Sequence, residues 1–251
     1  MATPFSIVVI CRNESDGIAH TLSGLQGLSD DIVVYDTGST DGTQAIVRDF
    51  PVRLVEGVWK GFGPTKNAAN ALAKHDWILS LDADEVPDST LRAELMEWAP
   101  ASVDAVYACS FLNYIGDQPI RFGEWGWDRH IRLFNRTRVQ WDAEPVHEQL
   151  QFPAAVEVLR LRGKIQHRTV RDWNDHRNKM RQYAQLNAQK YFARGKAAPL
   201  WKLWLSPPFT FLHYYLIKLG FLDGMAGWQC AWLTARYTYW KYARLRQLYR
   251  S

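Results

Sequence analysis

The sequence predicts an α/β protein whose first half is a doubly wound, largely parallel sheet. Three observations carry that expectation. Short runs rich in Val and Ile alternate with segments of helical periodicity over the first 85 residues, the pattern of βαβ units. Two of these runs stop abruptly at carboxylates, in Tyr35-Asp36 and in Leu81-Asp82-Ala-Asp84-Glu85. Neither a Gly-x-Gly-x-x-Gly turn nor a Lys-Ser/Thr phosphate loop follows the first run, which excludes a dinucleotide fingerprint and a P-loop. With 251 residues, 47% hydrophobic and 22% charged, the chain can bury a sizeable core and is not disordered.

Ser6-Ile-Val-Val-Ile-Cys11 is apolar and β-branched, a buried strand ending at Arg12-Asn13-Glu14. Ser15 or Asp16 can cap a helix that carries Ile18, Leu22 and Leu25 at helical spacing. Residues 32–35 form a second strand, and Asp41 beyond it can cap a helix containing Ile46 and Val47. Residues 52–55 form a third, and a helix over 64–74 leads to a fourth at 78–81. Residues 106–111 and 129–135 read as later strands around Gly123-Glu-Trp-Gly-Trp127. That loop has two readings, a stacking surface for a sugar or tryptophans folded onto the core. Residues 171–194 form a helix with Trp173, Met180, Tyr183, Asn187 and Tyr191 on one face, ended by Gly195 and Pro199.

Burying bare carboxylates costs several kcal/mol, so Asp82, Asp84 and Glu85 are expected at an exposed strand end. Asp-x-Asp suits a hard divalent ion that bridges phosphates; acids at the start of a helix are the alternative. In a parallel sheet Asp36 and Asp82 share the carboxyl edge, where open α/β sheets bind ligands. Asn13, Glu14 and the Glu56 region end neighbouring strands. The convergence favours a nucleotide held by carboxylates and a metal.

Ser6–Glu14, Asp36-Thr-Gly-Ser-Thr-Asp-Gly-Thr43, Lys66-Asn67 and Leu81–Glu85, in that order and spacing, resemble the family 2 glycosyltransferases of GT-A fold. The likeness continues through Arg132-Leu-Phe-Asn-Arg136, Val146-His-Glu148, Ile165-Gln-His167, Lys218–Gly224 and Lys241–Leu245. Over nearly the whole chain it is similar to the bacterial lipopolysaccharide inner-core β-1,4-glucosyltransferases. The resemblance implies a Rossmann-like nucleotide-diphospho-sugar transferase fold with a helical, aromatic and basic C-terminal extension. It implies inverting transfer of a hexose, glucose from UDP-glucose, to an inner-core heptose, with Mg²⁺ or Mn²⁺. Asp36 would contact the base or ribose, although Thr37 stands where many members carry a second Asp. Asn13, Glu14, Lys66, Asp82, Arg129 and Arg132 would hold the nucleotide, and Asp82, Asp84 and His167 the cation. An inverting transfer needs one general base; the family's carboxylate after the second group of strands points to Glu148, with Asp128 and Glu144 as competitors. Glu85 would stand behind the ligands or begin a helix.

The implied division is a catalytic domain over 1–170, with a nucleotide half (1–100) and an acceptor half (101–170), and a membrane-associating helical region over 171–251. Residues 1–150 carry 12 Lys/Arg against 22 Asp/Glu, and residues 151–251 carry 18 against 4. The positive third suits an anionic partner. Residues 199–251 hold five Trp, six Tyr and three Phe, with seven Lys/Arg against one Asp. The apolar stretch 203–217 is interrupted by Pro207, Pro208 and His213, too short and broken to span a bilayer. Two readings are open: amphipathic helices lying on an anionic membrane surface, or a helical lid on the catalytic domain. No nucleic-acid motif is present. With no leader segment expected at the N-terminus, the location implied is peripheral, on the cytoplasmic face of the bacterial inner membrane. Cys11, Cys109 and Cys230 match no metal or redox spacing and are expected to be buried thiols. Rival readings are a transferase acting on another envelope glycan, a polyprenyl phosphate or a protein, and a non-catalytic sugar-nucleotide or membrane-binding module.

Overall fold

The structure, a computed structural model, describes residues 2–143, 150–152, 156–197 and 199–250. The chain forms two compact units, Met1–Ser110 with Arg129–His167, and Phe111–Asp128 with Arg168–Ser251. It passes between them three times, so the second unit contains residues 111–128 as well as the helical region expected from 171.

The predicted βαβ alternation opens the chain. In order come β1 (Ser6–Cys11), α1 (Ile18–Leu25), β2 (Ile32–Asp36), α2 (Thr43–Arg48), β3 (Arg53–Glu56), α3 (Phe62–Asn70) and β4 (Trp77–Asp82). Then follow β5 (Glu85–Pro87), α4 (Ser89–Met96), β6 (Val106–Ile115), β7 (Gln118–Ile120), β8 (Arg129–Asn135), β9 (Gln140–Trp141), β10 (Leu150–Gln151) and β11 (Val158–Val170). The sheet order is β3-β2-β1-β4-β8-β6-β11-β5. The first four strands are parallel; β8 is antiparallel to β4, β6 to β8 and β5 to β11. Every residue of β1 and β2 is buried, as strands covered on both faces require. β3 lies at the edge and exposes Arg53 and Glu56, charges that discourage pairing with another chain. Val8, Ile10, Val33, Tyr35, Ile78 and Phe134 form the heart of this unit's core.

Three local expectations change. Gly17, not Ser15 or Asp16, is the residue that precedes α1. The Ser15 N–H donates instead to Asp41 Oδ2 at 3.0 Å, while Asp41 Oδ1 accepts the Thr43 N–H at the start of α2. α3 ends at Asn70, four residues before Lys74. β6 continues past Phe111 to Ile115, pairing Asn113–Ile115 with β7.

The second unit is built from α5 (Trp173–Ala193), α6 (Leu200–Leu212) and α7 (Gly224–Leu248), with a π-turn at His213–Ile217 and a 3₁₀ turn at Gly220–Asp223. Its core gathers Ile115, Ile120, Val170, Ala226 and Cys230, with Trp125 and Trp173 against them. Asp172 caps α5, its Oδ1 accepting the N–H groups of Asn174 and Asp175 at 2.7 and 2.8 Å. α5 buries His176, Ala184 and Ala188, whereas Tyr183 is exposed. The helix α6 continues past Pro207 and Pro208. Two missing N–H groups deprive the carbonyls of Leu203 and Trp204 of their i+4 donors. Lys241 on α7 is enclosed by the rings of Tyr191, Tyr237 and Tyr242, 5.0–5.3 Å from its Nζ. The Gly/Trp loop divides its two tryptophans: Trp125 packs against His176 with ring centroids 4.9 Å apart and planes tilted by 42°, and Trp127 is exposed. The loop is tied down by Asp223 Oδ2, which accepts from Arg121 N and Phe122 N at 2.9 and 2.8 Å. Gly123 N donates to Lys218 O, and Thr234 Oγ1 to Glu124 Oε2 at 2.6 Å. All three cysteines are buried free thiols, as expected.

Candidate active site

The register of the parallel strands assembles the site. Cys11 at the end of β1 pairs with Asp36 on one side, and Ile10 pairs with Asp82 on the other. Beside these ends lies a crevice of about 450 Å³, lined by Arg12, Glu14, Thr37, Asp82 and Asp84 together with Trp59 and Phe62.

Asp36 is fully buried, and its oxygens organise the loop that follows. Oδ1 accepts from Gly38 N and Ser39 N, both at 2.9 Å, and from Gln44 Nε2 at 3.0 Å. Burial raises this carboxyl's pKa, but the hydrogen bonds from Ser39, Gln44 and Gly38 prevail and hold it below the usual range. Asn13 sits in the left-handed region at φ 57°, where Asn is among the few tolerant residues. Its Oδ1 accepts from Thr40 N, and its own N–H donates to Ser39 Oγ, both at 2.8 Å. Glu14 N donates to Thr43 Oγ1 at 2.8 Å. Asn13, Glu14 and Asp36 are thus one hydrogen-bonded assembly around 37–43.

Asp82 stands between two cations. Lys66 Nζ lies 3.4 Å from its Oδ1, and the Arg132 guanidinium 3.1 Å from its Oδ2. Burial pushes the Asp82 carboxyl up, and Arg132 and Lys66 more than reverse this, leaving it well below the carboxylate range. Lys66 is itself buried, its Nζ 4.7 Å over the Trp141 ring, a contact that stabilises a desolvated ammonium. The neighbouring Asn67 clamps the same strand, donating to Trp141 O at 2.8 Å and accepting from Trp141 N at 2.9 Å. Gly63 brings α3 close enough that a Cβ there would fall 1.8 Å from Asp142 O.

Glu85 overturns the expectation that all three acids lie exposed, for it is fully buried. It accepts from the Asp82 N–H at 3.1 Å and pairs with Arg132. Burial raises its pKa, Arg132 only partly opposing, while the two carboxylates drive the Arg132 pKa further up against its own burial. Asp84, still partly exposed, faces His167 Nε2 at 3.3 Å. The backbone ladder sets this contact, since His167 on β11 pairs with Glu85 on β5. Burial lowers the His167 pKa, and hydrogen bonding to Asp84 with the nearby charges of Asp84, Glu85 and Asp82 reverses it.

Asp84 and His167 fit a divalent cation: adjacent ligands of an octahedral ion at ~2.1 Å are about 3 Å apart, close to the spacing of their facing atoms. Asp82, the third expected ligand, has Lys66 and Arg132 beside its oxygens. Among the described residues no group of three His, Cys, Asp or Glu is placed to hold a metal alone, so such an ion would draw its remaining ligands from phosphate and water. Arg129 stands apart, exposed, with Nε 3.5 Å from Ser110 Oγ. Glu148 and its competitor Glu144 lie outside the described residues. Asp128 belongs to the second unit, its Oδ2 accepting from Asn113 Nδ2 at 3.2 Å. Sequence reasoning assigned no role to Arg12 and missed Trp141, which lies in no motif, and the burial of Glu85, which depends on an arginine 47 positions away.

The family model for glycosyl transferase family 2 matches residues 6–157. The chain belongs to that family. This family 2 glycosyltransferase has the GT-A type of α/β fold and is 30% identical to the lipopolysaccharide core biosynthesis glycosyltransferase LpsC of Rhizobium meliloti, over 96% of this chain and 93% of that one. It is 25% identical to an uncharacterized glycosyltransferase of Rickettsia typhi, over 97% and 87%. Among solved structures, S. aureus TarS 1-349 in complex with UDP-GlcNAc superposes with a TM-score of 0.47 at 14% identity, covering 94% of this glycosyltransferase and 91% of that chain. Against a longer TarS chain the TM-score is 0.44 at 15% identity, over 72% of this chain and 39% of that one.

Proposed function

We propose that this glycosyltransferase moves a hexose, glucose from UDP-glucose, with inversion onto a heptose of the lipopolysaccharide inner core, at the cytoplasmic face of the bacterial inner membrane. The observation that carries the reading is the group at the carboxyl edge of the sheet: Asp82 between Lys66 and Arg132, with the Asp84–His167 pair beside the same crevice. The near full-length likeness to a lipopolysaccharide core enzyme supports the acceptor class.

The residues divide the work. Asp36, Asn13 and Glu14 fix the 37–43 loop, against which the nucleoside rests. Lys66 and Arg132, held in place by Asp82 and Glu85, present positive charge to the diphosphate, with Arg129 further along β8. Asp84 and His167 hold a divalent cation, Mg²⁺ or Mn²⁺. Such an ion supplies charge stabilisation to a departing diphosphate. Lys66 and Arg132 contribute to the same stabilisation, and being already anchored they need no reorganisation during transfer. Glu148 takes the proton from the acceptor hydroxyl as it attacks the anomeric carbon from the side opposite the departing UDP.

A donor screen tests the reading: purified protein, a panel of nucleotide sugars, truncated lipopolysaccharide acceptors and mass detection. The expected product carries one added hexose from UDP-glucose, and NMR of the new linkage shows inversion. Transfer from another donor, a retained anomer, or no product with any heptose acceptor refutes the corresponding part.

A further inference from the structure

The second unit carries an apolar face that the transfer reaction does not use. On α6, Trp201, Trp204, Leu205, Phe209 and Leu212 are each at least half exposed. At 100° per residue they fall within an arc of about 140°, while Leu203, on the opposite side, is buried. Beyond α6 the unit also exposes Ile217 (67%) and Met225 (70%). Five large apolar side chains exposed on one side of a helix are rare in proteins that meet only water.

Charge says what covers it. No Asp, Glu, Lys or Arg occurs from Leu203 to Ile217, and Lys202 and Lys218 bracket that stretch. Their ammonium groups lie 5.5 Å from the rings of Trp201 and Trp127. Asp223, the one acid after residue 199, is turned inward onto Arg121 N and Phe122 N. An uncharged aromatic face rimmed by cations complements the acyl region and anionic headgroups of a leaflet. Beside the face, α6 and α7 enclose a groove of about 470 Å³ between Leu203, Trp204, Pro207, Phe211, Trp232 and Tyr239, with Arg236 its one charged residue. No helix among the described residues is long and apolar enough to cross a membrane.

We propose that this face inserts into one leaflet of a bilayer, with α6 in the membrane plane, a lipid acyl chain in the α6–α7 groove, and Lys202, Lys218 and Arg236 at headgroup level. This deepens the membrane location proposed above by naming the surface and making apolar insertion, rather than surface charge, the main attraction. A helix lying in the interface buries its apolar side about 5–10 Å deep. The carbonyls of Leu203 and Trp204, deprived of helix donors by the prolines, favour that shallow depth over a fully dry one.

The test uses the full-length protein and vesicles of phosphatidylethanolamine with phosphatidylglycerol, floated in 0.1 M and 1 M salt, with no donor or acceptor present. Its outcome is therefore independent of sugar transfer. Flotation is expected to persist in 1 M salt, because insertion is not screened as surface charge is. Phe209→Glu and Trp204→Glu are each expected to lower partitioning about tenfold to hundredfold, the loss of one buried aromatic. Since the native thiols are buried, Leu212→Cys takes a polarity-sensitive fluorophore selectively. Its emission is expected to shift blue on adding vesicles, which keeps the test valid should the Glu variants misfold. Binding abolished by 1 M salt and indifferent to Phe209→Glu would overturn insertion in favour of charge alone. A blue shift that needs no vesicles and tracks a doubling of mass in sedimentation would overturn it in favour of a second copy of the chain.

Discussion

His176 offers a prediction whose size can be worked out beforehand. The residue is 3% exposed, its ring packed at a tilt against Trp125 and Trp173, and neither nitrogen has a hydrogen-bond partner among the described residues. Burial lowers its pKa from 6.5 to about 4, Lys179 adding to the effect and Asp175 opposing it. The unfolded chain therefore binds a proton between those values that the folded chain refuses. The resulting stability is complete above pH 6.5 and is lost as pH falls toward 4. At ~1.4 kcal/mol per pKa unit, the loss is about 2 kcal/mol at pH 5 and about 3 kcal/mol when complete. Urea unfolding of the wild type and of His176→Phe, followed by tryptophan fluorescence at pH 7.5 and pH 5, measures it as the difference between their pH dependences. The variant should lack this part of the acid sensitivity, and NMR of the folded wild type should show an imidazole still neutral at pH 5. An imidazole titrating near its ordinary value, or identical pH dependences, would refute the argument.

Other outcomes follow from the site. Asp84→Ala should abolish transfer and leave thermal unfolding within roughly 0.5 kcal/mol of wild type, as a partly exposed carboxylate allows; EDTA should inhibit the wild type, and Mg²⁺ or Mn²⁺ restore it. Full activity in EDTA would remove the cation from the scheme. Glu148→Gln should slow turnover about 10²–10⁴-fold while nucleotide binding by calorimetry persists, and unchanged turnover would pass the role of base to Glu144 or Asp128. Arg132→Met leaves buried Glu85 without its cation and should cost about 3–5 kcal/mol, read as a fall in Tm of roughly 6–20 °C; a Tm within 2 °C of wild type would contradict the buried pairing.

The parallel half was legible because its signals are local. β1, β2 and β4 are continuous apolar runs, and a strand end followed by a carboxylate can be read without knowing its neighbours. Asp36 and Asp82 therefore fall on one edge from the parallel topology alone, as the structure has them. What stayed hidden depends on distant partners. Glu85 looks like one more exposed acid until Arg132 arrives from β8. Asp82 reads as a lone strand-end acid until Lys66 and Arg132 arrive, one at each of its oxygens. The start of α1 depends on a distant partner too, since Asp41 in another loop accepts the Ser15 N–H. Lys241 counted as one more surface charge in the basic tail, yet three tyrosines enclose it.

The three chain crossings between the units bear on inheritance. A cut at residue 170, natural at first sight, separates no module. It would leave residues 111–128 with their carrier and take away what fastens them: Asp223 from Arg121 and Phe122, Lys218 from Gly123, and Thr234 from Glu124. Gene fusion or recombination at that point would deliver a fragment with an unfastened loop and a helical remainder missing part of its core. Diversification of this chain is thus expected to proceed by substitution inside both units together, and any exchange with a relative must carry 111–128 and 168–251 as one piece.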